Sequence, residues 1–283
     1  MKNTMSEPTI NQADLEAFYA RPDELCLADP EGERMHAALL CWLESGAIRA
    51  AEPDAASENG WRVNSWVKRA ILMGFKRSQV VPMDGCSALP AFDKAGYPPR
   101  RFELGDGVRV VPGGTSVRRG SHVAKGVVVM PPAYVNVGAY VGAGTMVDSH
   151  ALVGSCAQIG QRVHLSAAAQ IGGVLEPAGA RPVIVEDEAF IGGLVGLFEG
   201  VIVRRGAVLA PGVTLTSSTV IFDLVHGAEL HGEVPAGAVV VPGTRPARGD
   251  FAASKGLSLS APMIVKYKDA KTTAATALEE ALR

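Results

Sequence analysis

The sequence lacks the features of membrane proteins and of nucleic-acid-binding proteins. Among its 283 residues no eighteen apolar residues run together, and Met1–Asn11 contains no apolar signal segment. The 27 lysines and arginines are balanced by 29 aspartates and glutamates, so no basic excess attracts nucleic acid or an anionic membrane surface. These absences predict that neither nucleic acid nor a membrane is a partner.

Cysteine is scarce, and its spacing matches neither a disulfide framework nor a zinc site. The four cysteines, at positions 26, 41, 86 and 156, include no CxxC pair. We therefore expect reduced thiols and a cytoplasmic location. Aromatic residues form only 6% of the chain, whereas glycine and proline number 32 and 18. In a chain without pattern, that composition would favour disorder.

A strict period of six excludes disorder. Every sixth residue from Val111 to Ile171 is aliphatic, and after an excursion over 173–184 the period resumes from Val185 to Ile221. A helix repeats its apolar positions at about 3.6 and a strand at 2, so this period predicts a hexapeptide solenoid. Each unit is expected to be a short strand plus a turn, with one aliphatic side chain facing the core. The predicted fold class is mainly β, a parallel β-helix that is left-handed in proteins of known fold.

The segments that lack the six-residue repeat predict further elements before and after the solenoid. Helical spacing of apolar residues indicates two helices within 11–49 and a third over 61–76, and a linker is expected over 80–99. At the other end we expect an irregular segment, a strand and a helix, over 245–259, 262–268 and 269–283. The predicted domains are an N-terminal helical domain, the β-helix and a C-terminal strand and helix extension, over 1–105, 106–243 and 244–283.

Ionisable residues that interrupt the aliphatic coils are the candidates for chemistry. Asp148 follows Val147 in a stretch almost free of other charge. It is either an outward carboxylate at a turn or a carboxylate in a cleft that takes a proton from an amine nucleophile. Arg109 either anchors the domain junction or clamps a substrate carboxylate with its planar guanidinium.

The histidines do not form a recognisable metal motif. His150 and His164 are fourteen residues apart, and His226 and His231 flank a second excursion over 222–233. A metal-dependent trimer of the carbonic anhydrase type shares the solenoid fold but requires converging histidines, which this spacing does not supply. We expect no metal.

Several segments together resemble the tetrahydrodipicolinate N-succinyltransferases of lysine biosynthesis. The most specific are VGSCAQIG (Val153–Gly160) and IGGVLEP (Ile171–Pro177), and the resemblance covers nearly the whole chain. It implies a homotrimer of left-handed β-helices with active sites between subunits. It also implies a reaction in which the acyl group of a coenzyme A thioester, the co-substrate, is transferred to the amine of ring-opened tetrahydrodipicolinate.

The resemblance assigns roles to individual residues. Asp148 corresponds to a required aspartate, which acts as catalytic base, acceptor ligand or acyl carrier, and Arg109 corresponds to an arginine that binds the acceptor. The residues expected to bind the coenzyme A donor are Gly193, Ala210, Pro211 and Ser218, with Lys255 as a further basic candidate.

One stretch departs from the family pattern. The commoner bacterial members carry Gly-Ala-Arg-Ser-Glu-Val-Val-Glu-Gly where this chain has Gly192–Gly200, so Leu194, Val195 and Gly196 replace the Arg, the Ser and the first Glu. That Glu has been treated as catalytic in the family, and its role does not carry over. We expect an apolar acyl end of the cleft, with relaxed or reversed discrimination between acetyl-CoA and succinyl-CoA unless a basic residue elsewhere binds the carboxylate.

This departure leaves alternatives open. A diverged copy could serve a specialised route such as tabtoxin biosynthesis, which shares early lysine-pathway chemistry. A catalytically silent hexapeptide scaffold or regulatory subunit is the alternative from another class. The loss of the Glu favours the silent scaffold, whereas the presence of Arg109, Asp148 and the IGGVLEP excursion favours an enzyme.

Overall fold

Three sheets of mainly parallel strands enclose one long aliphatic core in the computed structural model, which describes residues 10–83 and 90–268. The predicted helix over 269–283 and Cys86 lie outside the described residues. The domain limits near 105 and 243 stay predictions.

The N-terminal unit contains more elements than expected. Three helices, and not two, precede residue 50, because a short helix fills the predicted break between the outer two. The residues expected to form a polar loop and the start of the next helix instead pair as a hairpin, and the expected linker contains another. The elements are α1 (Gln12–Ala20), α2 (Asp23–Ala28), α3 (Gly32–Ser45), β1 (Ala51–Pro53), β2 (Trp61–Val63), α4 (Ser65–Arg77), β3 (Val80–Met83), β4 (Ala91–Lys94) and a 3-10 turn (Leu104–Asp106).

The β-helix is built mainly from two-residue strands. They are β5 (Arg109–Val110), β6 (Ser116–Val117), β7 (His122–Val123), β8 (Val128–Val129), β9 (Tyr134–Val135), β10 (Tyr140–Val141), β11 (Met146–Val147), β12 (Leu152–Val153), β13 (Gln158–Ile159), β14 (His164–Leu165), β15 (Gln170–Ile171), β16 (Ile184–Val185), β17 (Phe190–Ile191), β18 (Gly196–Leu197), β19 (Ile202–Val203), β20 (Val208–Leu209) and β21 (Thr214–Leu215).

After β21 the described residues form seven further strands and one short helix. The expected irregular segment is a two-stranded hairpin around that helix, and the expected strand near residue 265 is confirmed. These elements are β22 (Val220–Asp223), β23 (Ala228–His231), β24 (Glu233–Val234), β25 (Ala238–Val241), β26 (Thr244–Pro246), α5 (Asp250–Lys255), β27 (Ser258–Ser260) and β28 (Met263–Tyr267).

Three faces and three corners define positions on the solenoid. We call the sheet that starts with β5 and β8 the first face, the sheet that starts with β6 and β9 the second face, and the sheet that starts with β7 and β10 the third face. The first corner joins the first face to the second, the second corner joins the second to the third, and the third corner returns to the first. Each coil therefore places equivalent residues one strand spacing apart, about 4.8 Å.

The core has two inward rows, so the expectation of one inward residue per unit is wrong. The aliphatic residues at every sixth position form a ladder, each of them a rung, and this ladder is buried from Val117 onward. A second row lies two residues before each rung and consists of small side chains such as Ala139, Ala157 and Val195, which are also buried. The first predicted rung is displaced, because the register pairs Val110, and not Val111, with Val129.

Lys68 of α4 ties the N-terminal unit to the first excursion. Its side chain has no exposed surface, and its ammonium donates to the carbonyl oxygens of Ala180 and Pro177 at 2.6 and 3.3 Å. Leu175 of the same excursion packs against the helical core. One buried cation and one apolar contact thus hold the excursion against the N-terminal unit.

The N-terminal unit also covers the third face. Arg49 donates to Gln158 of that face at 2.9 Å and lies 3.6 Å from the ring centre of Tyr140. Trp61 donates to Glu186 at 3.0 Å. The candidate catalytic aspartate lies at the opposite edge of the solenoid, at the first corner.

Candidate active site

Asp148 lies at the first corner with part of its carboxylate uncommitted. It follows β11, and its Oδ1 accepts a hydrogen bond from the backbone N–H of Ser149 at 2.7 Å. Within the described residues no lysine or arginine forms an ion pair with it. Its side chain is partly exposed, so the remaining oxygen lone pairs can accept from a bound ligand.

The structure brings three of the predicted donor-binding residues to the same corner. The N–H of Gly212 donates to the carbonyl of Gly193, the N–H of Leu194 to Ala167, and the N–H of Ala168 to Ser149. This ladder stacks the loops of successive coils, so Gly193 lies two coils beyond Ser149. Ala210 and Pro211 belong to the next loop. Asp148 and these three residues therefore form one edge.

The other predicted site residues lie elsewhere in the chain. Ser218 is at the second corner, in a turn where its hydroxyl is 3.2 Å from that of Thr216. Arg109 is exposed in β5, two strands before β11 on the first face. Lys255 is exposed at the end of α5. Within one subunit, Ser218 thus lies at a different corner from Asp148.

The three residues of the divergent stretch take different positions in the solenoid, and the apolar acyl end expected of them stays a prediction. Val195 belongs to the second inward row and is fully buried. Leu194 is 71% exposed at the first corner, with φ near +60°. Gly196 begins β18 on the second face, where it is buried.

Phe198 covers the position of the missing glutamate. A Cβ atom on Gly196 would lie 2.6 Å from the Phe198 ring, and a Cβ atom on Gly172 would lie 2.8 Å from it. The ring therefore packs over two glycines of adjacent strands. In the family pattern, position 196 holds Glu and position 198 holds Val. The loss of the glutamate side chain at Gly196 is therefore matched by a larger side chain at Phe198. Sequence comparison alone marks the loss but not this replacement.

The second excursion is a hairpin with an internal polar cluster. The buried Asp223 carboxylate accepts from Tyr267 and His226, both at 2.7 Å, and from two backbone N–H groups. Burial raises the pKa of Asp223, but these hydrogen bonds outweigh it and lower the value to about 2. The cluster explains His226 as part of the hairpin and not as a metal ligand.

Two other histidines stack on aromatic rings. His122 stacks on Tyr140, and His164 stacks on Phe190. Within residues 10–83 and 90–268, no group of three His, Cys, Asp or Glu side chains is arranged to hold a metal ion. In the same part of the chain, no helix has the length and apolarity needed to span a membrane.

Comparison with known proteins identifies the family. Residues 11–76 match the model of the tetrahydrodipicolinate N-succinyltransferase N-terminal domain, and residues 182–217 match the hexapeptide repeat of succinyl-transferase. A Granulibacter bethesdensis 2,3,4,5-tetrahydropyridine-2,6-dicarboxylate N-succinyltransferase is 48% identical over 85% of this chain and 86% of its own. The chain belongs to the tetrahydrodipicolinate N-succinyltransferase family.

Other members of this family match over the full length. A Gluconobacter oxydans relative of the same name is 46% identical over 95% of this chain and 96% of its own, and one from Rhodopseudomonas palustris is 44% identical over the whole of both. The resemblance and the predicted left-handed parallel β-helix are thereby confirmed, and the chain is an acyltransferase of this type. A solved Campylobacter jejuni chain aligns with a TM-score of 0.46 and 16% identity, covering 80% of this chain and 61% of that one.

Proposed function

We propose that this succinyltransferase-family member transfers the succinyl group of succinyl-CoA to the amine of ring-opened tetrahydrodipicolinate in lysine biosynthesis. The observation that carries the proposal is the first corner, where the uncommitted carboxylate of Asp148 lies on the same edge as Gly193, Ala210 and Pro211. The curated relatives named above share the succinyltransferase name, which supports succinyl over acetyl and lysine over a tabtoxin-type route.

In this reaction Asp148 accepts a proton from the attacking amine. The amine nitrogen forms a bond to the thioester carbonyl carbon, the carbon–sulfur bond breaks, and the sulfur takes the proton from Asp148, so that coenzyme A leaves as its thiol. Arg109 binds a carboxylate of the acceptor, to which its bidentate guanidinium is suited. No metal takes part in these steps.

Turnover with the two candidate donors tests the proposed function. We expect release of coenzyme A thiol from succinyl-CoA that depends on tetrahydrodipicolinate, with a higher kcat/KM than for acetyl-CoA. A preference for acetyl-CoA would support the alternative donor. Absence of turnover with either donor, together with absence of coenzyme A binding by calorimetry, would support a silent scaffold.

We also propose a homotrimer, in the cytoplasm, with the active site shared between subunits. The support is that Ser218 lies at the second corner whereas Gly193, Ala210 and Pro211 lie at the first, so a neighbouring copy is needed to bring the two sets together. We expect light scattering at micromolar concentration to give three times the 29.5 kDa chain mass. A monomer mass would contradict the shared site.

A further inference from the structure

A cavity of about 560 Å³ lies at the second corner, between the first excursion and the loop after β18. Its lining includes Arg181 and Glu176 from the excursion, and Phe198, Glu199 and Ser217 from the solenoid. Ser217 precedes Ser218, the predicted donor-binding residue at this corner. The cavity therefore adjoins both the expected donor side and the position of the missing family glutamate at Gly196.

Arg181 is the basic residue of this cavity, and its charge is not neutralised by an ion pair. Its Nε donates to the carbonyl of Gly200 at 2.8 Å, which fixes the guanidinium plane at the cavity wall. Among the described residues no carboxylate lies within ion-pair distance of it. Glu233, whose charge acts on Arg181, is occupied by Arg204 through two hydrogen bonds of 2.7 and 2.9 Å.

The acidic residues of the cavity do not form an ion pair with Arg181 either. Glu199 accepts from the Ser217 hydroxyl at 2.8 Å, and Glu176 is exposed on the excursion. The two terminal nitrogens of Arg181 thus remain available as a pair of donors. A carboxylate is the group that such a pair binds in a bidentate manner.

Phe198 supplies the apolar part of the same wall. Its ring lies over Gly172 and Gly196 and lines the same cavity as Arg181, to which it contributes an aromatic surface. A cation next to an aromatic surface suits a ligand with a short methylene chain that ends in a carboxylate. The succinyl group has this chemistry, whereas the acetyl group has no terminal carboxylate.

We propose that Arg181 binds the terminal carboxylate of the succinyl donor, with the Phe198 ring packed against its methylene groups. This inference rests on the proposed function and gives it a specificity determinant in this chain. It also revises the relaxed donor discrimination expected from residues 194–196 alone. The required cation comes from the first excursion, and neither the divergent stretch nor Lys255 has to supply it.

The test compares donors in Arg181 variants. We expect Arg181→Ala to lower kcat/KM for succinyl-CoA roughly 10- to 100-fold, because a hydrogen-bonded charge pair is lost, and to leave the value for acetyl-CoA unchanged. Arg181→Lys keeps the charge but not the paired donors and should fall between. Arg162→Ala is the matched control, since Arg162 is an exposed arginine paired with Glu188 at another corner.

Several outcomes would overturn the proposal. An equal loss with both donors would assign Arg181 a structural role, and a change only in the KM of tetrahydrodipicolinate would assign it to the acceptor. Calorimetric binding of succinyl-CoA and acetyl-CoA to wild type and Arg181→Ala gives the same comparison without turnover. If wild type turns over neither donor, the proposed function fails, whereas equal binding of succinyl-CoA by both proteins contradicts the role of Arg181 alone.

Discussion

Replacing Asp148 by asparagine is expected to lower turnover by about 10²-fold or more. Asparagine has the same shape and can still accept from the Ser149 N–H, but it cannot take the proton of an attacking amine. A positioned general base contributes about 10² to 10⁴ to the rate. Initial rates of coenzyme A release at saturating succinyl-CoA and acceptor measure the effect.

The control for this variant is Asp54→Asn. Asp54 is also a partly exposed aspartate whose Oδ1 accepts a nearby backbone N–H, from Ala56 at 3.0 Å, but it lies in the N-terminal unit. Both variants should unfold at the temperature of wild type, because neither side chain belongs to a core. Wild-type rates in Asp148→Asn would make Asp148 an ordinary turn residue.

The largest loss of stability is expected for Lys68→Ala. This change removes a fully buried side chain and leaves the carbonyls of Pro177 and Ala180 without their donor. Cavity formation and unpaired acceptors together cost about 2–5 kcal/mol. For a chain of this size that corresponds to a decrease of roughly 5–15 °C in Tm, measurable by calorimetry.

Two further variants separate the causes. Lys68→Met fills much of the space and loses only the hydrogen bonds, so a smaller cost of about 1–3 kcal/mol is expected. Lys76→Ala, on the same helix, removes an exposed lysine paired with Asp23 and should cost less than about 1 kcal/mol. Equal stability of all three variants would show that Lys68 does not hold the excursion.

The Lys68 ammonium also predicts a pH dependence. Burial lowers the pKa of Lys68 below its usual 10.5, so between the folded value and 10.5 the unfolded chain binds more protons than the folded one. The stability of wild type relative to Lys68→Met should therefore rise as the pH increases through that window and fall as the pH decreases. Unfolding curves of both proteins at several pH values below 10.5 test the sign.

The sequence predicted the solenoid well because its rule is local and repeated. Each rung of the ladder needs only one aliphatic residue every six positions, and many repeats make the period unmistakable. Two expectations about the solenoid were wrong. The first rung is displaced because the first repeat has one extra residue, and each unit contributes two inward side chains and not one. Gly113 and Gly114 lie in the longer first turn that separates Val110 from the next rung, and the row that contains Val195 has the same period as the ladder but smaller side chains.

The site was predictable only where it lies within the period. Asp148 is recognisable in the sequence because it is a charged residue within coils that are almost free of other charge. Its neighbours on the first corner follow from the eighteen-residue length of one coil. Arg181 lies in an excursion without period, so only the fold places it beside Phe198. The packing of Phe198 over Gly172 joins adjacent coils, and no local pattern marks the two residues as partners.

The stacked loops of the first corner lie at fixed and equal spacings along the solenoid. Asp148, Ser166, Gly192 and Ala210 follow one another in successive coils, linked by backbone hydrogen bonds. Each step equals one strand spacing, about 4.8 Å, so adding or deleting a coil changes the reach from Asp148 to Ala210 only in that unit. Finer adjustment to donors of different length must therefore come from side chains. The loss of the glutamate at Gly196 together with the gain of the Phe198 ring is one such change.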